Sequence, residues 1–260
     1  MKPDTVHTVF FSPTHTSARI ARAVARGTGL ETARETDLTC DTATGPIMIA
    51  GNILTVIAVP VYGGRVAPVA LERIRRLRGN GSPAIVVVAY GNRDYEDALA
   101  ELCDTVRMQG FIPVSAGAFI GEHSYSRPEM PVAEGRPDGE DLKTAKDFGG
   151  ASIRKWNSDN APVAFYSKGN TPYKPLKLSV PDAPVTLADN CTLCETCIGL
   201  CPAHAIFVNG NGEIDTDKNG CIKCCACVKG CPMGARQYDT PFTAYLHRNF
   251  SVRREPELFL

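Results

Sequence analysis

Apolar and polar positions follow two different regimes along the chain. Up to about residue 158, short and nearly unbroken apolar runs alternate with segments whose apolar positions recur every three or four residues. Residues 5–11 (TVHTVFF), 54–61 (LTVIAVPV) and 84–89 (AIVVVA) are rich in β-branched side chains and bounded by turn formers, so each predicts a buried strand. Another strand is expected over 113–121 and a weaker one over 31–38. Helical periodicity occupies 18–26, 68–77, 95–110 and, as a closing helix, 138–158. Such alternation predicts a parallel sheet with helices on both faces. Ligands of such sheets sit at the carboxyl ends of the strands.

Beyond residue 158 the pattern changes. Residues 159–185 carry prolines at 162, 172, 175, 181 and 184 and little period, which predicts an extended linker on the surface. The turn Asn209-Gly210-Asn211-Gly212 between two short apolar stretches predicts a hairpin. After Arg236 come Tyr238, Phe242, Tyr245, Leu246, Phe250, Leu258 and Phe259, a tail too apolar to be left in water. The expected organisation is therefore a sheet domain over 1–158, a linker over 159–187, a small domain over 188–238, and a tail over 239–260 packing back on the first domain.

The small domain holds one pattern twice: Cys191-x-x-Cys194-x-x-Cys197-x-x-x-Cys201-Pro202 and Cys221-x-x-Cys224-x-x-Cys227-x-x-x-Cys231-Pro232. Three thiolates at this spacing wrap one iron–sulfur cube, and the fourth ligates the neighbouring cube. Cys191, Cys194, Cys197 and Cys231 are thus assigned to one 4Fe–4S cluster, and Cys221, Cys224, Cys227 and Cys201 to the other. The stretch resembles the bacterial two-cluster ferredoxins. Zinc ribbons use paired knuckles instead, and the first residues carry no secretory leader that would predict disulfides. Asp215-x-Asp217-x-Asn219-Gly220 opens like a calcium loop, but Ala226 stands where the bidentate glutamate belongs.

Composition narrows the function. The 260 residues suit one medium domain plus a small one. Lys+Arg and Asp+Glu both number 28, so the basic excess of a nucleic-acid binder is missing. No apolar run predicts a membrane span. Reduced cysteines point to a cytoplasmic, anaerobic setting, with Cys40, Cys103 and Cys225 expected as small buried residues.

Three loops carry the remaining chemistry. Ser12, Thr14, His15, Thr16 and Ser17 lie between the first strand and the first helix, where unpaired N–H groups and hydroxyls suit a phosphate; plain capping is the alternative. Pro60-Val61-Tyr62-Gly63-Gly64 and Tyr90-Gly91-Asn92-Arg93-Asp94-Tyr95 follow the next two buried strands. Together these loops look like the three FMN loops of flavodoxins. The order of the two halves, with Gly121-Glu122-His123-Ser124-Tyr125 and Arg254-Glu255-Pro256-Glu257, is similar to the bacterial flavodoxin–ferredoxin fusion family. That resemblance implies an α/β, flavodoxin-like doubly wound five-stranded parallel sheet of order 2-1-3-4-5 plus a small α+β two-cluster ferredoxin domain. It also implies phosphate binding by Ser12, Thr14, Thr16 and Ser17, a flavin flanked by Tyr62 and Tyr95, and backbone groups of Gly63, Gly91 and Asn92 at its edge.

One position departs from the family, which usually has glycine where His15 stands; a positive φ there would strain the loop. His123 is a candidate proton donor, with a structural histidine as the alternative. The arginines of Leu71–Arg78 (LERIRRLR) read as a solvated helix face or a docking patch for an acidic electron donor. FMN and two 4Fe–4S clusters in one chain imply conversion between single-electron and hydride chemistry. A carrier serving a redox partner protein, with no small-molecule acceptor of its own, is the other reading.

Overall fold

In the computed structural model, which describes residues 2–158, 167–176 and 180–260, the first half folds into β1 (Thr5–Phe10), β2 (Glu31–Asp37), β3 (Ile53–Tyr62), β4 (Pro83–Tyr90) and β5 (Ile112–Ile120). All pair in parallel, in the order β2-β1-β3-β4-β5. The order reverses beside β1. The helices are α1 (Thr16–Gly27), α2 (Pro68–Ile74), α3 (Ala98–Met108) and α4 (Gly139–Ser158). This is the flavodoxin-like doubly wound sheet that the hydrophobic pattern and the resemblance lead one to expect.

Alternation along a strand decides which face each side chain serves. In β4, Ala84, Val86 and Val88 join the core with Leu99, Leu102 and Cys103 of α3, whereas Ile85 and Val87 join Ile20 of α1 and Phe148 of α4. With both faces covered, β4 is buried at every position. β2 is an exposed edge, and its sequence ETARETD places charges there that discourage pairing with another chain. α1 and α4 approach closely: a Cβ on Gly149 would lie 2.0 Å from the Val24 carbonyl oxygen.

Two expectations fail in part in this half. Of the Leu71–Arg78 arginines, Arg75 and Arg78 are exposed as a solvated face would be, but Arg73 and Arg76 are half-buried. Arg73 donates to the carbonyls of Leu38, Thr39 and Pro202, and Arg76 pairs with Asp41 at 2.7 Å, so both fasten neighbouring segments. Of the three spare cysteines, Cys103 and Cys225 are buried but Cys40 is exposed, because it follows β2 on the open edge.

The second half contains α5 (Thr196–Gly199), a hairpin of β6 (Ile206–Val208) and β7 (Ile214–Thr216), α6 (Ala226–Lys229), α7 (Pro241–Phe250) and β8 (Glu257–Phe259). β8 pairs antiparallel with β5, so the tail forms the other edge of the main sheet. Part of the expected linker, residues 159–166 and 177–179, lies outside the described residues. Asn170 and Lys174 are fastened to the start of α3, where the Asp97 carboxylate accepts both their backbone N–H groups. Among the described residues no helix is long and apolar enough to cross a membrane.

One buried histidine makes stability depend on pH. His7 Nε2 lies 2.9 Å from Thr36 Oγ1 across β1 and β2, and burial first, then Arg34, lowers its pKa to about 4. The unfolded chain takes up a proton near pH 6.5 that the folded chain refuses. The stabilisation is therefore complete above pH ~6.5 and is lost as pH falls toward 4, by on the order of 3 kcal/mol. Urea denaturation at several pH values should show a flatter profile for His7→Gln across that window; a slope matching the unsubstituted chain would refute the assignment.

Candidate functional site

The carboxyl ends of β1, β3, β4 and β5 meet around one cavity of about 810 Å³. Ser12, Thr14, Thr16 and Ser17 line it from the loop after β1. Pro60, Val61, Tyr62, Gly63 and Gly64 line it from β3 and its loop, and Tyr90, Gly91, Arg93 and Asp94 from β4 and its loop. His123 and Tyr125 enter from the loop after β5. Parallel strands bring these loops together because all of them end on the same side of the sheet.

The loop after β1 is built around α1. Ser12 Oγ accepts the N–H of Ala18 at 3.0 Å, while the N–H groups of Thr14, Thr16 and Ser17 have no acceptor among the described residues. The first turn of α1 carries no acidic residue, so its positive end is uncompensated. Donors, hydroxyls and dipole together fit a phosphate. The buried Tyr90 hydroxyl also lacks a partner among the described residues, and a Cβ on Gly63 would meet nothing within 4 Å. The donors, hydroxyls and space of this cavity thus fit FMN.

His15 occupies the left-handed region, with φ 63°, and lines an adjoining cavity of about 220 Å³ beside Arg19. A non-glycine residue held there costs about 1 kcal/mol. His15→Gly should therefore raise the denaturation free energy by roughly that amount, read from urea melts. An unchanged or lower value would mean that the imidazole makes contacts worth its strain.

Two residues assigned to the flavin by resemblance are elsewhere. Tyr95 is fully buried in the core and its hydroxyl donates to Glu257 at 2.7 Å. Asn92, also buried, donates through Nδ2 to the carbonyls of Phe250 at 2.6 Å and Val252 at 2.8 Å. Both side chains serve the C-terminal tail, which reaches across this loop, so the Tyr95 ring cannot flank a ring in the cavity; Asn92, whose backbone groups the resemblance assigns to the flavin edge, does not line the cavity. His123 does line the cavity, but its Nδ1 accepts the Tyr125 N–H at 3.0 Å, and burial first, then Arg93 and Lys229, lowers its pKa to about 4. At neutral pH it is an uncharged imidazole with its proton on Nε2, which does not suit an imidazolium acid.

Sequence reasoning missed several wall residues: Glu96, Lys174 to Leu176, Ile222, Lys223, Phe242 and Tyr245. Ile222 and Lys223 stand between Cys221 and Cys224, so the cysteine-rich region forms part of the wall. The Tyr62 phenol is held well above its ordinary pKa, by burial first and then by the sulfurs of Cys224 and Cys225, the Tyr125 phenol and the Cys221 sulfur. Only the surplus of aromatic residues in the tail could have signalled the last two.

The two cysteine motifs fold as structural repeats. Leu193 and Lys223, and likewise Glu195 and Cys225, take matching positive φ values, and α5 and α6 follow at matching positions. The fourth sulfur of each motif accepts a backbone N–H at 3.3 Å, Cys201 from Ala205 and Cys231 from Ala235. Cys191, Cys194, Cys197 and Cys231 line one small cavity. Burial pushes the Cys224 thiol up to about 12, and the sulfurs of Cys227, Cys201 and Cys221 add to that rise. The structure therefore gathers the first crossed set around one cavity, and Cys201 is an electrostatic neighbour of Cys221, Cys224 and Cys227. All eleven cysteines are free of disulfides. Among the described residues no three His, Cys, Asp or Glu side chains form a single-ion site; a cube takes its cysteines at separate corners.

Arg236 provides the test of fit. It is 2% exposed and donates to Thr186 Oγ1, Thr216 Oγ1 and the Pro184 carbonyl, with no carboxylate partner among the described residues. Its Nε has no partner at all there, and it lines the cavity of the first four cysteines, with Nη2 3.9 Å from Cys227 Sγ. A buried guanidinium without an acid is costly unless an anion lies beside it. A thiolate-bound iron–sulfur cluster is such an anion.

No protein-family model matches the chain. Over 52 residues it is 35% identical to the B component of polysulfide reductase from Wolinella succinogenes, covering 19% of this chain and 27% of that protein. Over 49 residues it is 39% identical to the thiosulfate reductase electron transfer subunit PhsB of Salmonella typhi, covering 18% and 26%. Pyruvate synthase subunit PorD of Methanocaldococcus jannaschii matches at 35% over 52 residues, covering 20% and 60%. The chain thus spans less than two thirds of each of these relatives. Similar solved structures include a flavodoxin from the domain Archaea, at 11% identity and TM-score 0.41 over 59% of this chain and 99% of that one. A short-chain flavodoxin associated with a bacterial microcompartment gives 15% and 0.42 over 61% and 100%. The chain joins a flavodoxin-like sheet to a ferredoxin-like pair of cysteine motifs.

Proposed function

We propose that this protein is an iron–sulfur flavoprotein oxidoreductase, passing single electrons through two 4Fe–4S clusters to or from FMN. The observation that carries this reading is the cavity wall itself. Ile222 and Lys223, from within the second cysteine motif, share one cavity with the hydroxyl loop of α1. When bound, the clusters supply one-electron chemistry and the flavin both one- and two-electron chemistry. The chain's own residues do the rest. Thr14, Thr16 and Ser17 offer donors to a phosphate, Arg236 balances thiolate charge in a buried setting, and His123 keeps its proton on Nε2. Tyr62 lines the cavity within electrostatic reach of Cys221, Cys224 and Cys225 of the second motif.

The competing reading is a carrier that hands electrons to a partner protein without a substrate of its own. The cavity of about 810 Å³ lies in the range of small-molecule sites, about 300–1,000 Å³, and holds the flavin under either reading; the enzyme reading requires room for an acceptor beside the ring. A redox partner protein, a small-molecule acceptor and a reducing, cytoplasmic setting belong to the proposal. Anaerobic purification with quantitation of iron, sulfide and flavin tests it. About eight irons and one FMN per chain, with flavin bleaching after cluster reduction, is the expected result. Eight irons without flavin would sink the oxidoreductase reading.

A further inference from the structure

The cavity has a wall that belongs neither to the sheet loops nor to the cysteine motifs. Phe242 and Tyr245 of α7 line it, although they are 42% and 50% exposed. Their rings stack on each other, with centroids 5.5 Å apart and planes at 21°, and the Phe242 ring lies 6.4 Å from that of Tyr125. Large aromatic rings left half open beside a cavity want a planar apolar partner.

α7 is held in place from its other face. Leu246 and Thr243 are buried, His247 Nδ1 donates to the Pro131 carbonyl at 2.8 Å, and Thr240 caps the helix by accepting the N–H of Phe242. At the end of the helix and just beyond it, Asn92 grips the Phe250 and Val252 carbonyls. Tyr95 then holds Glu257 at the start of β8. The residues that the sheet loops might have offered to a flavin are thus spent on fixing the tail.

Resting on the flavin reading above, we infer that the C-terminal segment is a built part of the flavin site. Phe242 and Tyr245 supply the aromatic wall for the isoalloxazine that Tyr95 does not, and Asn92 is a positioning residue that acts through α7. In the loop after β4, Asn92 and Tyr95 grip the tail, while Gly91, Arg93 and Asp94 line the cavity.

The test uses the full chain, reconstituted anaerobically with FMN. Equilibrium dialysis, flavin fluorescence and the visible spectrum are compared for the unsubstituted chain, Phe242→Ala with Tyr245→Ala, and Asn92→Ala. Iron content reports folding of the cysteine region. The alanine pair should weaken FMN binding about 10-fold or more and raise the fluorescence of bound flavin, since stacked rings quench it. Asn92→Ala should move both readouts in the same direction. Phe242→Leu with Tyr245→Leu keeps the apolar volume and the helix but not the π-faces, and should reproduce the spectral change. A leucine pair with the affinity and spectrum of the unsubstituted chain overturns the inference alone. An unsubstituted chain that takes up no FMN overturns the flavin reading, and the inference with it.

Discussion

Cys201→Ala should lower the iron content from about eight to about four per chain, and combining it with Cys221→Ala should lower it no further. Combining Cys201→Ala with Cys191→Ala should instead remove both clusters. Cys231 shares a cavity with Cys191, Cys194 and Cys197, thirty or more residues before it in sequence, while Cys201 is an electrostatic neighbour of Cys221 and Cys224. On the crossed assignment each cluster draws three ligands from one motif and one from the other. Two substitutions within a single set disable one cluster; one substitution in each set disables two. Iron and sulfide assays on anaerobically purified variants read the difference. If Cys201→Ala with Cys191→Ala still held about four irons, each motif would be binding a cluster by itself and the crossed assignment would fall.

The second large effect concerns the loop after β1. Thr14→Glu should abolish FMN binding, weakening it at least about 100-fold, while leaving iron content and riboflavin affinity nearly unchanged. Thr14 lines both cavities at the amino end of α1, beside N–H groups that have no acceptor among the described residues. A carboxylate there would take those donors for itself and repel a phosphate dianion in a partly buried setting, where charges are poorly screened. Riboflavin has the same ring system and no phosphate. Competitive titration with the two flavins therefore separates loss of the phosphate site from loss of the cavity. Equal loss of both would mean that the loop supports the cavity in some other way.

Legibility followed the range of the interactions involved. β1, β3, β4 and β5 were readable because each is a local run of apolar residues, and such a run has its natural place in a buried strand; the exposed, charged β2 gave only a weak signal. The cysteine motifs were readable for a similar reason: spacings of three residues, positive-φ turns at Leu193 and Glu195, and their repeats at Lys223 and Cys225 are properties of short segments. The strain at His15 could be anticipated because the family that the chain resembles usually has glycine there, the residue that takes a left-handed φ without steric cost.

Residues whose partners lie far along the chain were misread. Arg73 looked like a solvated charge, yet its acceptors include the Pro202 carbonyl. Tyr95 and Asn92 stand where a flavin contact would be expected, and the groups they hold are Glu257, Phe250 and Val252, 158 to 162 residues away. Nothing near them in sequence announces those partners, because the tail becomes a neighbour only after β8 has paired with β5.

By itself the sequence determined the parallel sheet, the hydroxyl loop and the two four-cysteine motifs, all of which follow from periodicity and spacing within a few residues. Only the tertiary structure decided that the second cysteine motif walls the flavin-sized cavity, that Arg236 stands buried without an acid beside the sulfurs, and that the tail closes the site with its own aromatic rings. Those outcomes depend on which surfaces meet when the two halves pack, and a one-dimensional pattern records the apolar residues that must be buried without recording what buries them.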